Sequence, residues 1–133
     1  MERTIVAAMT VTLASCSSGQ DLASADKAVE RFHQQLNAGQ FESIYAQSAP
    51  TWKANTPKND TSRLFAAVRS KLGPYKSGTR NSWRVNYGTN ANTVVLFDSV
   101  YEKGKAQETF TFANGKNSPL IGYNVNSLAL ITG

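Results

Sequence analysis

The chain has very little cysteine and histidine: among its 133 residues there is one of each, Cys16 and His33. A lone cysteine cannot form an intramolecular disulfide, so the fold depends on its core even in an oxidising compartment. The several His, Cys or acidic ligands of a zinc site are not evident, and no Gly-rich phosphate loop, Gly-x-Ser-x-Gly elbow or dinucleotide motif occurs. The sequence therefore predicts no metal, no cofactor and no common enzyme chemistry.

Long apolar runs are also scarce. The stretch from Ile5 to Leu13 is too short to cross a bilayer core, which needs about 20 apolar residues. It has the shape of a secretory signal, although Glu2 offsets the positive charge of Arg3 that such a signal favours. The alternative is an N-terminal strand in which Cys16 is a small buried hydrophobe.

The sequence Leu13-Ala14-Ser15-Cys16 resembles the lipobox of bacterial lipoproteins. That resemblance implies cleavage before Cys16, acyl chains on its sulfur and new amino group, and partnership with a membrane, because two or more chains anchor stably. Ser17 stands where an aspartate signals inner-membrane retention in related lipoproteins. We therefore expect a lipid-anchored protein of the cell envelope, on the outer membrane facing the periplasm. The predicted organisation is a signal peptide (1–15), a lipidated cysteine and flexible tether (16–23), and one domain (24–133).

The balance of charge is basic, with a formal net charge of +5. The lysines and arginines are scattered along the chain, whereas a nucleic-acid-binding protein usually concentrates them in a patch or on one helix face. A hydrophobic content of 41% is enough for a packed core. We expect a solvated basic surface and no nucleic-acid partner.

The first half of the domain has helical periodicity. Ser24 or Asp26 is a candidate N-cap for a helix through about Ala38, and Gly39 ends it. A short second helix should end before Pro50, Trp52 should lie in a linker, and a third helix should start at 59–61 and end at Gly73-Pro74.

The second half changes to the alternating periodicity of strands. The predicted strands are 82–87, 93–102, 107–113 and 120–130, joined by turns at 90–92, 102–105 and 114–115. Helices followed by hairpin-linked strands predict an α+β single domain with helices packed on a curved, four-stranded antiparallel meander. The expected shared core is Phe32, Leu36, Phe41, Ile44, Phe65, Val68, Leu72, Val85, Leu96, Phe110 and Phe112.

The segment Phe32-His33-x-x-Leu36-Asn37-Ala38-Gly39-x-Phe41, followed by Tyr45, resembles the nuclear transport factor 2-like superfamily. Within it, the chain is similar to small bacterial lipoproteins of the cystatin-like or ketosteroid-isomerase-like type, over about Ala25 to Ile131. The resemblance implies a cone-shaped domain. It leaves function open, because the superfamily contains enzymes, binding modules and accessory domains.

Two residues are candidates for acid–base chemistry. His33 has no evident carboxylate or cysteine partner in the sequence, so we expect a surface or core-edge histidine that is not catalytic. Asp98 alternates with Val94 and Leu96 and therefore projects into a cone cavity in the isomerase- or lyase-like alternative, with Tyr45 or Tyr101 supplying a hydroxyl. The plainer alternative leaves Asp98 solvated or paired with a lysine.

Aromatic residues with polar tips suggest a pocket or a protein contact, because such residues are enriched at both. The candidate ligand pocket consists of Tyr45, Trp83, Asp98, Tyr101 and Tyr123. The leading hypothesis is a non-enzymatic module that binds an envelope protein or a small apolar ligand, and a structural accessory domain without a pocket is a further alternative.

The lipobox generates the first testable prediction. Replacement Cys16→Ser removes the thiol that would be acylated, so the variant should be absent from the membrane fraction and remain unprocessed or soluble. Membrane fractionation and intact-mass analysis of the native protein measure this. An unmodified chain from Met1 to Gly133 in the native protein would contradict it.

Overall fold

The computed structural model describes residues 17–132. The predicted signal peptide and the predicted acylation of Cys16 lie outside these residues. Four helices precede four strands, and a short helix follows them. The elements are α1 (Ser17–Asn37), α2 (Phe41–Gln47), α3 (Pro50–Asn55), α4 (Lys58–Leu72), β1 (Tyr75–Asn86), β2 (Asn92–Tyr101), β3 (Gly104–Ala113), β4 (Leu120–Asn126) and α5 (Leu128–Thr132).

The four strands form one open antiparallel sheet in the order β1-β2-β3-β4. Helices cover one face of this sheet, so the predicted α+β single-domain class is confirmed, and the arrangement fits a nuclear transport factor 2-like fold. The turn at Gly115, with φ of +106°, joins β3 to β4 in the left-handed region that glycine tolerates. Within the described residues, no helix is long and apolar enough to cross a bilayer.

Aromatic rings from α1, α4 and the sheet form the centre of the core. Phe65 and Phe110 are fully buried, and the Phe32 ring meets both edge-on, with centroids 5.2 and 5.1 Å away. Edge-to-face pairs of this kind add to the hydrophobic gain from burial. Most of the predicted core is confirmed by burial: Phe32, Leu36, Ile44, Phe65, Val68, Leu72, Phe110 and Phe112, with Phe41 packed partly buried against them.

The predicted facing of β2 is wrong by one residue. Val95 pairs with Phe110 of β3, and both side chains are fully buried on the helix-covered face. Because side chains alternate along a strand, Leu96 lies on the opposite face and does not join the core. Apolar residues occupy both faces of β2, so alternation within the strand does not decide its facing. Val85 of β1 also lies outside the core.

Element boundaries differ from expectation at both ends of the domain. Helix α1 begins at Ser17, so the described part of the expected flexible tether is helical, and Leu22 packs against the core cluster. At the other end, β4 stops at Asn126, and the residues expected to continue the strand form α5. The apolar side chains of that short segment fit either periodicity.

Trp52 lies in a helix, where the sequence predicted a linker. It sits on α3 and is buried; its indole Nε1 donates a hydrogen bond to Thr61 Oγ1 at 3.1 Å, and its ring stacks on Phe65. Pro50 occupies the first turn of α3, where a missing N–H costs nothing. Trp52 is therefore a core residue and not part of a contact surface.

The aromatic core generates a stability prediction. Phe65→Ala and Phe110→Ala should each lower the free energy of unfolding by about 3–5 kcal/mol, because each leaves a cavity in a packed interior. The control is Leu128→Ala, whose side chain is 78% exposed and whose loss should change stability by less than about 0.5 kcal/mol. Denaturant midpoints measure all three, and parent-like midpoints for both phenylalanine variants would contradict the packing.

Candidate functional site

A carboxylate lies in the middle of the core. Glu108 of β3 is fully buried because it shares the inward face of the strand with Ala106, Phe110 and Phe112. An unpaired carboxylate in such a place would be strongly destabilising. The side chains that contact Glu108 therefore determine whether its charge is stabilised in the core.

Three side chains from three other elements donate hydrogen bonds to Glu108. His33 of α1 reaches Oε1 through its Nε2 at 2.8 Å, and the hydroxyl of Tyr101 on β2 reaches Oε2 at 2.8 Å. The Tyr123 hydroxyl of β4 also donates to Oε2. Both carboxylate oxygens are thus satisfied within the protein, which is the condition for keeping a buried charge.

The surroundings of Glu108 keep it ionised. Burial raises the pKa of its carboxyl, but the hydrogen bond and charge interaction with His33, together with the Tyr123 hydroxyl, hold the pKa below its ordinary value. Burial and the nearby carboxylate raise the pKa of Tyr101 and that of Tyr123. Both phenols therefore keep their protons at neutral pH and act as donors to Glu108.

His33 is held on its ring face as well as at Nε2. Its imidazole stacks on the Tyr75 ring with centroids 3.6 Å apart and planes 4° from parallel. Asn37 fixes the backbone of Tyr75: its Oδ1 accepts from Tyr75 N at 2.8 Å, and its Nδ2 donates to Tyr75 O at 3.1 Å. A Cβ on Gly78 would lie 2.5 Å from the Tyr75 hydroxyl, so a larger residue at position 78 would displace the end of the Tyr75 side chain. The ring orientation of His33 is thus set on two sides.

The imidazole forms part of the floor of a cleft between α1 and β1. This α1–β1 cleft has a volume of about 280 Å³ and mostly apolar walls. On one side, the Arg80 guanidinium donates to the carboxylate of Asp26. His33 is only 3% exposed, so the cleft reaches the edge of its ring. The lining residues are Asp26, Val29, Glu30, His33, Gln34, Asn37, Tyr75, Arg80 and Phe97.

The cleft combines one oriented imidazole with apolar walls. Its lining residues include no Ser, Thr or Cys; the one hydroxyl among them is the phenol of Tyr75, whose pKa burial and the nearby Glu108 raise. Across residues 17–132, no cluster of three His, Cys, Asp or Glu is placed to hold a metal ion. Binding through a hydrogen bond to imidazole, or proton transfer by it, is what this geometry can perform.

The structure brings together two of the five residues predicted for a ligand pocket. Tyr101 and Tyr123 meet at Glu108, beneath the cleft and not along its wall. Tyr45 lies on α2 with the Lys53 ammonium 5.6 Å from its ring centroid, and Trp83 is 53% exposed on β1. Neither lines the α1–β1 cleft.

Asp98 does not project into a core cavity, and that part of the isomerase-like hypothesis is wrong. Its side chain is exposed on the opposite face of the sheet, where it accepts hydrogen bonds from Asn81 at 2.8 Å and Gln107 at 3.5 Å. The shift of one residue in the facing of β2 explains the difference. The plainer alternative of a solvated Asp98 fits this exposure; its hydrogen-bond partners are the amides of Asn81 and Gln107 and not a lysine.

The expectation that His33 has no carboxylate partner is wrong as well. Glu108 lies 75 positions further along the chain, so local spacing gives no sign of the pair. One signal is present in the sequence: Glu108 alternates with Phe110 and Phe112, both of which the sequence predicts to lie in the core. A carboxylate on an inward strand face indicates either a wrong register or a buried partner.

The buried carboxylate generates a pH prediction. A depressed pKa in the folded state means that ionised Glu108 contributes stability above its unfolded value of 4.5 and loses it as pH falls through the lower folded value. Relative to Glu108→Gln, the parent should therefore lose unfolding free energy on acidification below about pH 4.5. Urea unfolding at several pH values measures the difference.

The control for the pH prediction is Glu102→Gln, which removes an exposed carboxylate. Its stability should remain at a nearly constant offset from the parent across the same pH range, because this side chain faces solvent in the folded chain as it does in the unfolded chain. A constant offset for Glu108→Gln too would contradict the assigned ionisation of Glu108.

Comparison with known proteins identifies a family for most of this domain. A family model described as a protein of unknown function, DUF3887, matches residues 29–122. No curated protein matches the chain. The matched range runs from the middle of α1 into β4 and includes His33, Tyr75, Tyr101 and Glu108. The chain belongs to the DUF3887 family.

Proposed function

We propose that this domain is a small-molecule-binding module of the nuclear transport factor 2-like type, held at the bacterial cell envelope by acyl chains on Cys16. The lipobox-like sequence before Cys16 supports the anchor and its placement on the outer membrane, facing the periplasm. The helix-on-sheet arrangement supports the fold type. The α1–β1 cleft supports the binding role.

The observation that carries this proposal is a cleft whose accessible wall is mostly apolar, with the His33 imidazole and the Asp26–Arg80 pair among its polar groups. Ligand sites typically combine apolar walls with a few polar groups that fix orientation, in volumes of about 300–1,000 Å³. At about 280 Å³ the cleft is just below the lower end of that range. The proposed ligand is therefore a small molecule with an apolar body and one polar group directed at His33.

Binding to an envelope protein is the second candidate function, favoured by one observation. Leu128 and Ile131 of α5 are 78% and 77% exposed, and large apolar side chains with this exposure are typical of contact surfaces when they lie together. Neither residue lines the α1–β1 cleft. A variant that fills the cleft therefore separates the two candidates, because it should affect only the small-molecule role.

The binding proposal is tested by filling the cleft. Gln34 is exposed at the cleft rim on α1, and Gln34→Trp would place an indole across the opening. The neutral dye N-phenyl-1-naphthylamine should show saturable fluorescence enhancement with the parent, and Gln34→Trp should weaken its affinity by at least about tenfold, or 1.4 kcal/mol. Fluorescence titration measures both affinities.

Lys27→Trp is the matched control, because Lys27 is an exposed residue of the same helix that does not line the cleft. Its affinity for the dye should stay within about twofold of the parent, as expected for a surface substitution. Equal affinity in the parent and Gln34→Trp would overturn the cleft as the binding site. No saturable binding by the parent would overturn the apolar-ligand proposal.

A further inference from the structure

We infer that the α1–β1 cleft binds a small organic amine, whose ammonium group contacts the carboxylates of Asp26 and Glu30 and whose apolar body packs on aromatic side chains. The inference rests on the proposed binding function and names the class of ligand for the same cleft. Three observations carry it: a buried carboxylate oxygen without a partner, an excess of negative charge, and aromatic rings beside the carboxylates.

One oxygen of Asp26 has no hydrogen-bond partner. The Arg80 guanidinium donates to Oδ2, whereas Oδ1 is buried and accepts no hydrogen bond from any residue in the described range 17–132. Most buried polar atoms in native proteins have a partner, and an ionised carboxylate oxygen can be satisfied only by a donor. Because Asp26 lines the cleft, an N–H group on a ligand bound there can supply that donor.

The lining of the cleft is acidic once its ion pair is counted. Arg80 is the only lysine or arginine among the described lining residues, and Asp26 offsets its charge. Glu30 stands four residues after Asp26, on the same face of α1, and takes part in none of the ion pairs within residues 17–132. Next to the cleft, ionised Glu108 at least offsets any charge on His33. The excess negative charge favours a cation and disfavours an anion.

Aromatic rings line the same cleft as these carboxylates. Tyr75 and Phe97 are both among its lining residues. Phe97 of β2 pairs directly with Arg80 of β1, and directly opposite residues of an antiparallel pair project to the same face of the sheet. Phe97 therefore lies beside the Asp26–Arg80 pair. The face of an aromatic ring attracts an ammonium group, so carboxylates and rings together are complementary to an amine with a hydrocarbon body.

The test compares three ligands that differ mainly in charge: 2-phenylethylamine, which is protonated at neutral pH, neutral 2-phenylethanol, and the anion phenylacetate. Titration of the ¹⁵N-labelled full chain, followed by NMR of its backbone amides, measures each dissociation constant and locates the site. The amine should bind at least about fivefold more tightly than the alcohol, because a charged donor makes the stronger hydrogen bond to a carboxylate. Phenylacetate should bind most weakly, and added salt should weaken the binding of the amine but not that of the alcohol.

Glu30→Gln tests the exposed carboxylate. The substitution keeps the size of a solvent-exposed side chain and should weaken amine binding by about threefold, as expected for an exposed charge. Its affinity for 2-phenylethanol should stay at the parent value. The matched control is Glu102→Gln, which removes an exposed carboxylate outside the cleft and should leave the affinity for the amine unchanged.

Asp26→Asn tests the carboxylate with the unpartnered oxygen. It should weaken amine binding by at least about tenfold, because it removes a charged acceptor. It also releases the Arg80 guanidinium from its ion pair, so phenylacetate should gain affinity and bind more tightly than the amine. A substitution that only disturbed the shape of the cleft would weaken both ligands, so a reversed preference for charge identifies the contact.

O-Phosphoethanolamine tests whether the amine belongs to a lipid headgroup. It carries the same ammonium group but has a phosphate in place of the apolar body. The acidic cleft should therefore bind it more weakly than 2-phenylethylamine. Tighter binding of O-phosphoethanolamine would identify a headgroup as the ligand and overturn the small apolar amine.

The outcomes separate this inference from the binding proposal. If N-phenyl-1-naphthylamine binds and Gln34→Trp blocks it, but 2-phenylethylamine binds no more tightly than 2-phenylethanol, the amine is refuted and the binding site stands. If the dye does not bind while the amine binds and responds to Asp26→Asn as expected, the proposal of a neutral apolar ligand fails and the amine stands. Parent-like amine affinity in both Glu30→Gln and Asp26→Asn overturns the inference in either case.

Discussion

The carboxylate of Glu108 is the group around which this domain is arranged. Its two oxygens accept hydrogen bonds from α1, β2 and β4, while its own strand, β3, lies between the last two. The contacts with His33 and Tyr101 are buried and the contact with Tyr123 is partly buried, and losing one partner of a buried charge typically costs about 3–5 kcal/mol. The Glu108 side chain therefore fixes the positions of helix α1 and of strands β2, β3 and β4 relative to one another. The aromatic rings around Phe110 contribute apolar contacts to the core, but these contacts are less directional than the hydrogen bonds to Glu108.

A hydrophobic residue in place of a buried ion pair is often as stable or more so, so stability alone does not account for a charge in this core. Its distinctive effect is on His33. The carboxylate directs Nε2 inward, and Tyr75, fixed by Asn37, covers one ring face. The part of the imidazole that contacts neither Glu108 nor Tyr75 lines the α1–β1 cleft. The core network thus serves as the support of a surface site, and the elements that form the fold also position the chemistry.

The sequence predicted the element types well and the pairing across elements poorly. The stripe of Phe32 and Leu36 on α1, and the Phe110–Phe112 alternation on β3, reflect local periodicity, and burial confirms them. β2 carries apolar residues on both faces, so only its pairing with β3 sets which face is inward. The His33–Glu108 pair joins residues 75 positions apart, and no local pattern encodes such a contact. The candidate site is therefore not predictable from local pattern, although His33 stands out in the sequence as the single histidine.

Helix α1 links the site to the proposed membrane anchor. It begins at Ser17 and contributes six lining residues of the cleft, the first of which is Asp26. At 1.5 Å per residue, the cleft starts about 14 Å along the helix axis from Ser17 and ends about 30 Å from it at Asn37. With an acylated Cys16 directly before the helix, no flexible segment would separate lipid from domain. The cleft would then stay within a few tens of ångströms of the bilayer, in reach of small apolar molecules that partition into it.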